Sequence, residues 1–106
     1  MMTASISGRL AFDPREIETK SGKAMTTARM AVTDDNGETI WMEVLAFGWN
    51  AQWLARAAKG DRVAAMGTVR LHKWQGQDGE REILQLLADS LMVPAPRPKR
   101  EKSRGV

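Results

Sequence analysis

The chain has 106 residues, with 16 basic against 13 acidic side chains, one histidine, no cysteine and 42% hydrophobic residues. That is enough for one domain with a modest core, and it excludes disulfides, thiolate metal sites, cysteine catalysis and a histidine-rich metal centre around His72. Arg97, Lys99, Arg100, Lys102 and Arg104 stand against Glu101 alone, so residues 1–96 are nearly neutral and only the location of basic groups can argue for nucleic acid.

Ile6, Gly8, Leu10 and Phe12 alternate with Ser7, Arg9 and Ala11, which predicts a strand from Ala4 to Phe12, ended by Asp13-Pro14. Residues 13–24, including the turn Lys20-Ser-Gly-Lys23, read as a connection to a second strand from Met25 to Thr33. Ala28, Met30 and Val32 of that strand are expected in the core. Asp34-Asp35-Asn36-Gly37 is a hairpin signal, and its two aspartates are turn formers, not metal ligands or acid-base catalysts. The third strand, Thr39 to Phe47, is apolar on both faces: Ile40, Met42, Val44 and Ala46 suit a core, while Trp41, Glu43, Leu45 and Phe47 lie opposite. The second set holds two aromatics beside a carboxylate, a half-open platform that does more than meet solvent.

Gly48 breaks the strand, and residues 50–59 have helical character with Gly60 as a stop. Trp49, Trp53 and Ala57 share one side of this helix, and Trp53 is assigned to core packing. Val63, Ala65, Gly67, Val69 and Leu71 then alternate along a fourth strand that runs to Trp74. Residues 75–79 form a Gly-rich tip, and the fifth strand returns from Arg81 to Met92. Three strands, a helix and two strands, all antiparallel in character, close most economically as an all-β, five-stranded Greek-key barrel, the OB-fold, with one short helix between strands three and four. The domain is expected to span residues 1–93. Pro94, Pro96, Pro98 and the charged run that follows predict a disordered basic tail over 94–106. No apolar run approaches the length of a membrane span and MMTASISGRL lacks the order of a secretory signal, so a cytoplasmic protein away from the membrane is expected.

Over residues 6–93 the chain resembles the bacterial single-stranded DNA-binding proteins. The resemblance rests on Gly8-Arg-Leu-Ala-Phe-Asp-Pro14, Trp41-Met-Glu-Val-Leu-Ala-Phe-Gly48, Lys59-Gly60 and the run from Gly67 to Trp74, in that order and spacing. It implies an OB-fold that oligomerises, as a tetramer or dimer, and binds single strands by stacking. Trp41, Phe47 and Trp74 stand where that family places stacking aromatics, and Lys59 and Lys73 stand at its basic positions. The family's acidic C-terminal tip has no counterpart in the basic end of this chain, so partner recruitment through a tip is not implied.

Physical chemistry points the same way. Every unpaired base offers a π-face, so an aromatic platform flanked by cations holds any sequence and needs no catalytic group, metal or cofactor. Arg70 and His72 alternate to the side of Trp74, and Trp49 is either an added stacking group or part of a rearranged surface. Glu43, on the aromatic face, should repel phosphate unless it is paired. The function expected is non-specific single-stranded DNA binding in replication, recombination or repair, with proteins of those processes as further partners. Two alternatives stay open: a primosomal-type OB module whose main task is to contact replication proteins, and an RNA-binding OB module, since stacking alone does not read the 2′-hydroxyl.

Overall fold

The computed structural model describes residues 1–94, so the expected tail beyond Pro94 lies outside the described residues. Its elements are β1 (Met2–Leu10), β2 (Arg15–Glu18), β3 (Ala24–Thr33), β4 (Thr39–Phe47), α1 (Trp49–Ala55), β5 (Arg62–Gly76) and β6 (Gly79–Met92). They form one 6-stranded sheet in the order β1-β5-β6-β4-β3-β2, and a β1–β3 pairing closes it into a barrel. This is the expected OB architecture with one short strand added.

The added strand is β2. The segment read as a plain connection pairs with β3, Arg15 opposite Thr27 through Glu18 opposite Ala24. β1 ends at Leu10, short of the expected Phe12, and after Pro14 the chain recovers extended geometry at once, because Pro itself favours it. A second correction concerns direction: β4 and β6 run parallel, from Met42 opposite Leu84 to Leu45 opposite Leu87. The helix and the long β5 between them allow this, since a parallel pair needs a long crossover connection. The hairpin at Asp34 is as expected: its Oδ1 accepts from the backbone N–H groups of Asn36 and Glu38, both at 2.9 Å.

Met30, Val44, Leu54, Val63 and Leu86 are fully enclosed and centre the core. Burying such a side chain contributes about 1.5–3 kcal/mol. Met42, Val44 and Ala46 are buried as the alternation requires, but Ile40 is exposed near the start of β4. Leu45, on the outward side, is nonetheless only 7% exposed, lying between Thr27 of β3 and Leu87 of β6 in register. In β5, Val63, Ala65 and Val69 face inward, whereas Leu71, level with the Met42–Leu84 end of the β4–β6 ladder, is exposed where β5 and β6 run on as a two-stranded arm.

Two glycines mark where strands crowd. A Cβ on Gly8 would overlap the carbonyl oxygen of Ala31, at the point where β1 leaves β5 to pair with β3. One on Gly67 would overlap the Leu87 carbonyl oxygen, beside an irregularity in the β5–β6 register. Such close backbone approaches are where strand glycines belong.

The helix corrects the expectation for Trp53. Helix α1 starts at Trp49 and ends at Ala55, and it buries Ala51 and Leu54. Trp53 is 44% exposed, with the Arg56 guanidinium 4.9 Å from its ring centroid. The inward stripe is thus the small one, Ala51, Leu54 and Ala57. The helix sits close to the strands, Thr26 Oγ1 donating to the Ala51 carbonyl at 2.8 Å, and the inward positions go to Ala51 and Leu54.

Candidate nucleic-acid interface

Register decides which side chains share the outer face of the barrel. Opposed residues point the same way in a pleated sheet, so the β3–β4 ladder sets Ala31 beside Trp41, Arg29 beside Glu43, Thr27 beside Leu45 and Met25 beside Phe47. On the arm, His72 lies opposite Ile83 and Trp74 opposite Arg81. Trp41 and Trp74, 33 positions apart in sequence, meet along one open groove of about 590 Å³ that Arg29, Ile40, Leu71 and Arg81 also line. The His72 and Trp74 rings stack with centroids 5.5 Å apart and planes inclined by 21°. Two flat groups in series make a longer platform than one.

A polar row crosses four strands next to this groove. Arg29, Glu43, Gln85 and Arg70 are successive neighbours in register. Gln85 Nε2 donates to Glu43 Oε1 at 2.7 Å, and Arg70 Nε donates to Gln85 Oε1 at 2.9 Å. Gln85 is only 7% exposed, so these bonds satisfy an amide that water cannot reach easily. Glu43 does face outward with the aromatics, and it is held by a protein donor. The row also fixes Arg70 through its Nε while leaving the rest of the guanidinium exposed.

The remaining expected site residues are spread around the barrel. Phe47 is exposed at the far end of β4, six residues from Trp41 and so about 20 Å along the strand at a rise of about 3.3 Å per residue. Trp49, 77% exposed, begins the helix just beyond it. Lys73 lies opposite Glu82 and alternates to the other side of the arm from His72 and Trp74. Lys59 is exposed in the link between α1 and β5, where its backbone N–H donates to Asp13 Oδ1 at 2.8 Å.

Three residues on or beside the outer face escaped sequence reading. Arg29 was legible, because a symmetric hairpin about Asp34–Gly37 that opposes Thr33 and Thr39 also opposes Arg29 and Glu43. Arg81 sits opposite Trp74 and makes the ion pair with Asp78 at 2.8 Å. Phe12, read as the last residue of the first strand and given no role in the site, lies beyond it and is 60% exposed, since β1 ends at Leu10 and the chain turns before it. It lines a cleft of about 380 Å³ with Asp13, Arg15, Thr27, Arg29 and Glu43. No cluster of three or more metal-ligating side chains occurs among the described residues. Nor is any helix there long and apolar enough to cross a membrane.

Comparison with known proteins places this geometry. The chain is 34% identical over 86 residues to the single-stranded DNA-binding protein of Thermotoga maritima, covering 72% of this chain and 60% of that one. It is 34% identical over 83 residues to single-stranded DNA-binding protein 2 of Tropheryma whipplei strain Twist, covering 66% and 55% of the two chains. The chain thus spans 55–60% of the length of these curated relatives. The fold superposes on the small single-stranded DNA-binding protein from Streptomyces coelicolor with a TM-score of 0.76 and 20% identity, covering 88% of this chain and 94% of that one. That likeness concerns the fold alone. The single-strand binding protein family matches residues 1–93, the whole barrel, and the chain belongs to that family.

Proposed function

We propose that this protein binds single-stranded DNA with little sequence preference and so protects or presents the strand during replication, recombination or repair. The observation that carries this reading is the shared groove of Trp41 and Trp74, edged by Arg29. Each stacked base contributes about 1–3 kcal/mol whatever its identity, and cations alongside follow the phosphates. In this reading Trp41, Phe47 and Trp74 stack bases and His72 extends the Trp74 platform. Arg70 and Lys59 meet phosphates, Lys73 does so only where the strand passes round the other side of the arm, and Trp49 adds a stacking surface beyond Phe47. The activity is binding and not catalysis, and the setting is the cytoplasm.

The same reading makes the protein a homo-oligomer of two or four chains. Residues Met2 to Ser7 of β1 pair with β5 alone, which leaves their other backbone edge without a strand among the described residues. An open edge is a template for another chain.

Tryptophan fluorescence titrated with single-stranded DNA, RNA and duplex tests the proposal. Saturable quenching by single-stranded DNA, similar for unrelated sequences and weak for duplex, is expected. An equal response to RNA would make this a general single-strand binder. No response to any single strand would remove the proposal and favour an OB module that contacts replication proteins.

A further inference from the structure

Arg29 lines both openings of the outer face. It borders the Trp41–Trp74 groove on one side and the Phe12 cleft on the other, so the two openings are neighbours that share the Arg29 wall. The connection is close: the Ala11 N–H donates to the Arg29 carbonyl at 2.9 Å, which seats Phe12 next to Arg29 along the chain. Arg15, opposite Thr27 on β2, lines the far wall.

We propose that Phe12 is an additional base-stacking residue, with Arg29 and Arg15 holding the phosphates on either side of the base it carries. The inference rests on the single-strand reading above and extends its path beyond the tryptophans. An exposed phenyl ring between two guanidinium groups suits a nucleotide, which has a flat apolar base and an anionic link. Among the described residues neither Arg15 nor Arg29 makes a close ion pair, that contact being Arg81–Asp78, although Glu43 is the register neighbour of Arg29. The cleft also contains Asp13 and Glu43, which keep their charges but are each held in place by a neutral protein donor. Asp13 accepts from the Lys59 N–H at 2.8 Å and Glu43 from Gln85 at 2.7 Å. Phe12 also follows the end of β1 directly, where its backbone is anchored by the Ala11 bond. The ring is therefore presented from a fixed strand end.

The test compares wild type, Phe12→Ala and Phe12→Tyr with oligo-dT of about 16 nucleotides, the upper range of sites on one OB-fold, reading affinity, tryptophan quenching at saturation and thermal midpoint. Phe12→Ala should lose about 5–150-fold in affinity, the loss of one stacked base, with quenching amplitude and midpoint unchanged. Phe12→Tyr should bind as wild type does. A photocrosslink from 5-iododeoxyuridine in the same oligonucleotide should map to Phe12. Undiminished affinity of Phe12→Ala would overturn the inference while leaving the single-strand reading standing. A lowered midpoint or reduced quenching amplitude would also overturn it, because Phe12 would then act through packing or through the tryptophan groove. If the wild type does not bind oligo-dT at all, the broader reading fails first.

Discussion

Glu43 shows how one hydrogen bond can fix a charge in place without cancelling it. By alternation alone it is a carboxylate among stacking aromatics and a source of repulsion. In the barrel it accepts from the nearly buried Gln85, whose oxygen in turn holds Arg70. Two substitutions separate these roles. Glu43→Gln keeps an acceptor for Gln85 and removes the charge, so single-strand affinity should rise most at low salt, where screening is weakest, with unchanged stability. Glu43→Ala leaves the Gln85 amide without its acceptor and should lower unfolding free energy by about 1–3 kcal/mol in denaturant titration. Equal stability of the two variants would mean that the bond to Gln85 contributes nothing. At Trp74, which is partly exposed and stacked only on His72 among aromatic neighbours, alanine should weaken all single-strand sequences alike, by about 1–3 kcal/mol, with little change in thermal midpoint. A fall in midpoint without selective loss of binding would assign Trp74 to packing.

At the level of elements, the barrel depends on a brief pairing. The strands β1 and β3 meet only through Arg9 opposite Ala31 and Leu10 opposite Met30. Gly8 makes that approach feasible, because any Cβ there would strike the Ala31 carbonyl. Gly8→Ala is therefore expected to destabilise the fold by about 1–3 kcal/mol, as overpacked sites do, and to speed amide exchange at Arg9–Leu10 and Met30–Ala31 before the rest of the sheet. Uniform exchange across the sheet would show that the closure does not open separately. The arm formed by the ends of β5 and β6 has a different character, since its two strands extend past the core and carry His72 and Trp74 outward. It presents a stacking surface and needs little burial of its own.

For the whole molecule, charge is divided between a near-neutral barrel sequence and a basic end. Residues 97–104 carry five basic side chains against one acidic one. They should add affinity that depends on salt and not on base sequence. Truncation after Val93 should lower affinity at low ionic strength. It should also flatten the log–log salt slope by about 0.7 for each phosphate of a single strand that the basic end would otherwise neutralise. Tryptophan quenching at saturation should stay unchanged, because every tryptophan lies within residues 1–93. Coincident slopes for the full and truncated chains would assign the basic end to something other than DNA.

Period-two alternation and turn chemistry act over a few residues. They were sufficient for the succession of the long strands, the hairpin at Asp34, the inward run of Met42, Val44 and Ala46, and the outward aromatics Trp41 and Trp74. They were not sufficient for the exposure of Trp53 and Phe12, the parallel course of β4 and β6, or the grip of Gln85 on Glu43, all of which emerge in the folded barrel. What separates the two groups is range. Trp53 and Phe12 are ambiguous locally, because an aromatic at a helical or alternating position is equally apolar whichever way it points. Its direction depends on how much space the neighbouring strands leave. The Glu43–Gln85 bond joins residues 42 positions apart, and the Trp41–Trp74 groove exists only because the parallel β4–β6 pairing brings the arm beside β4, information that no local pattern carries.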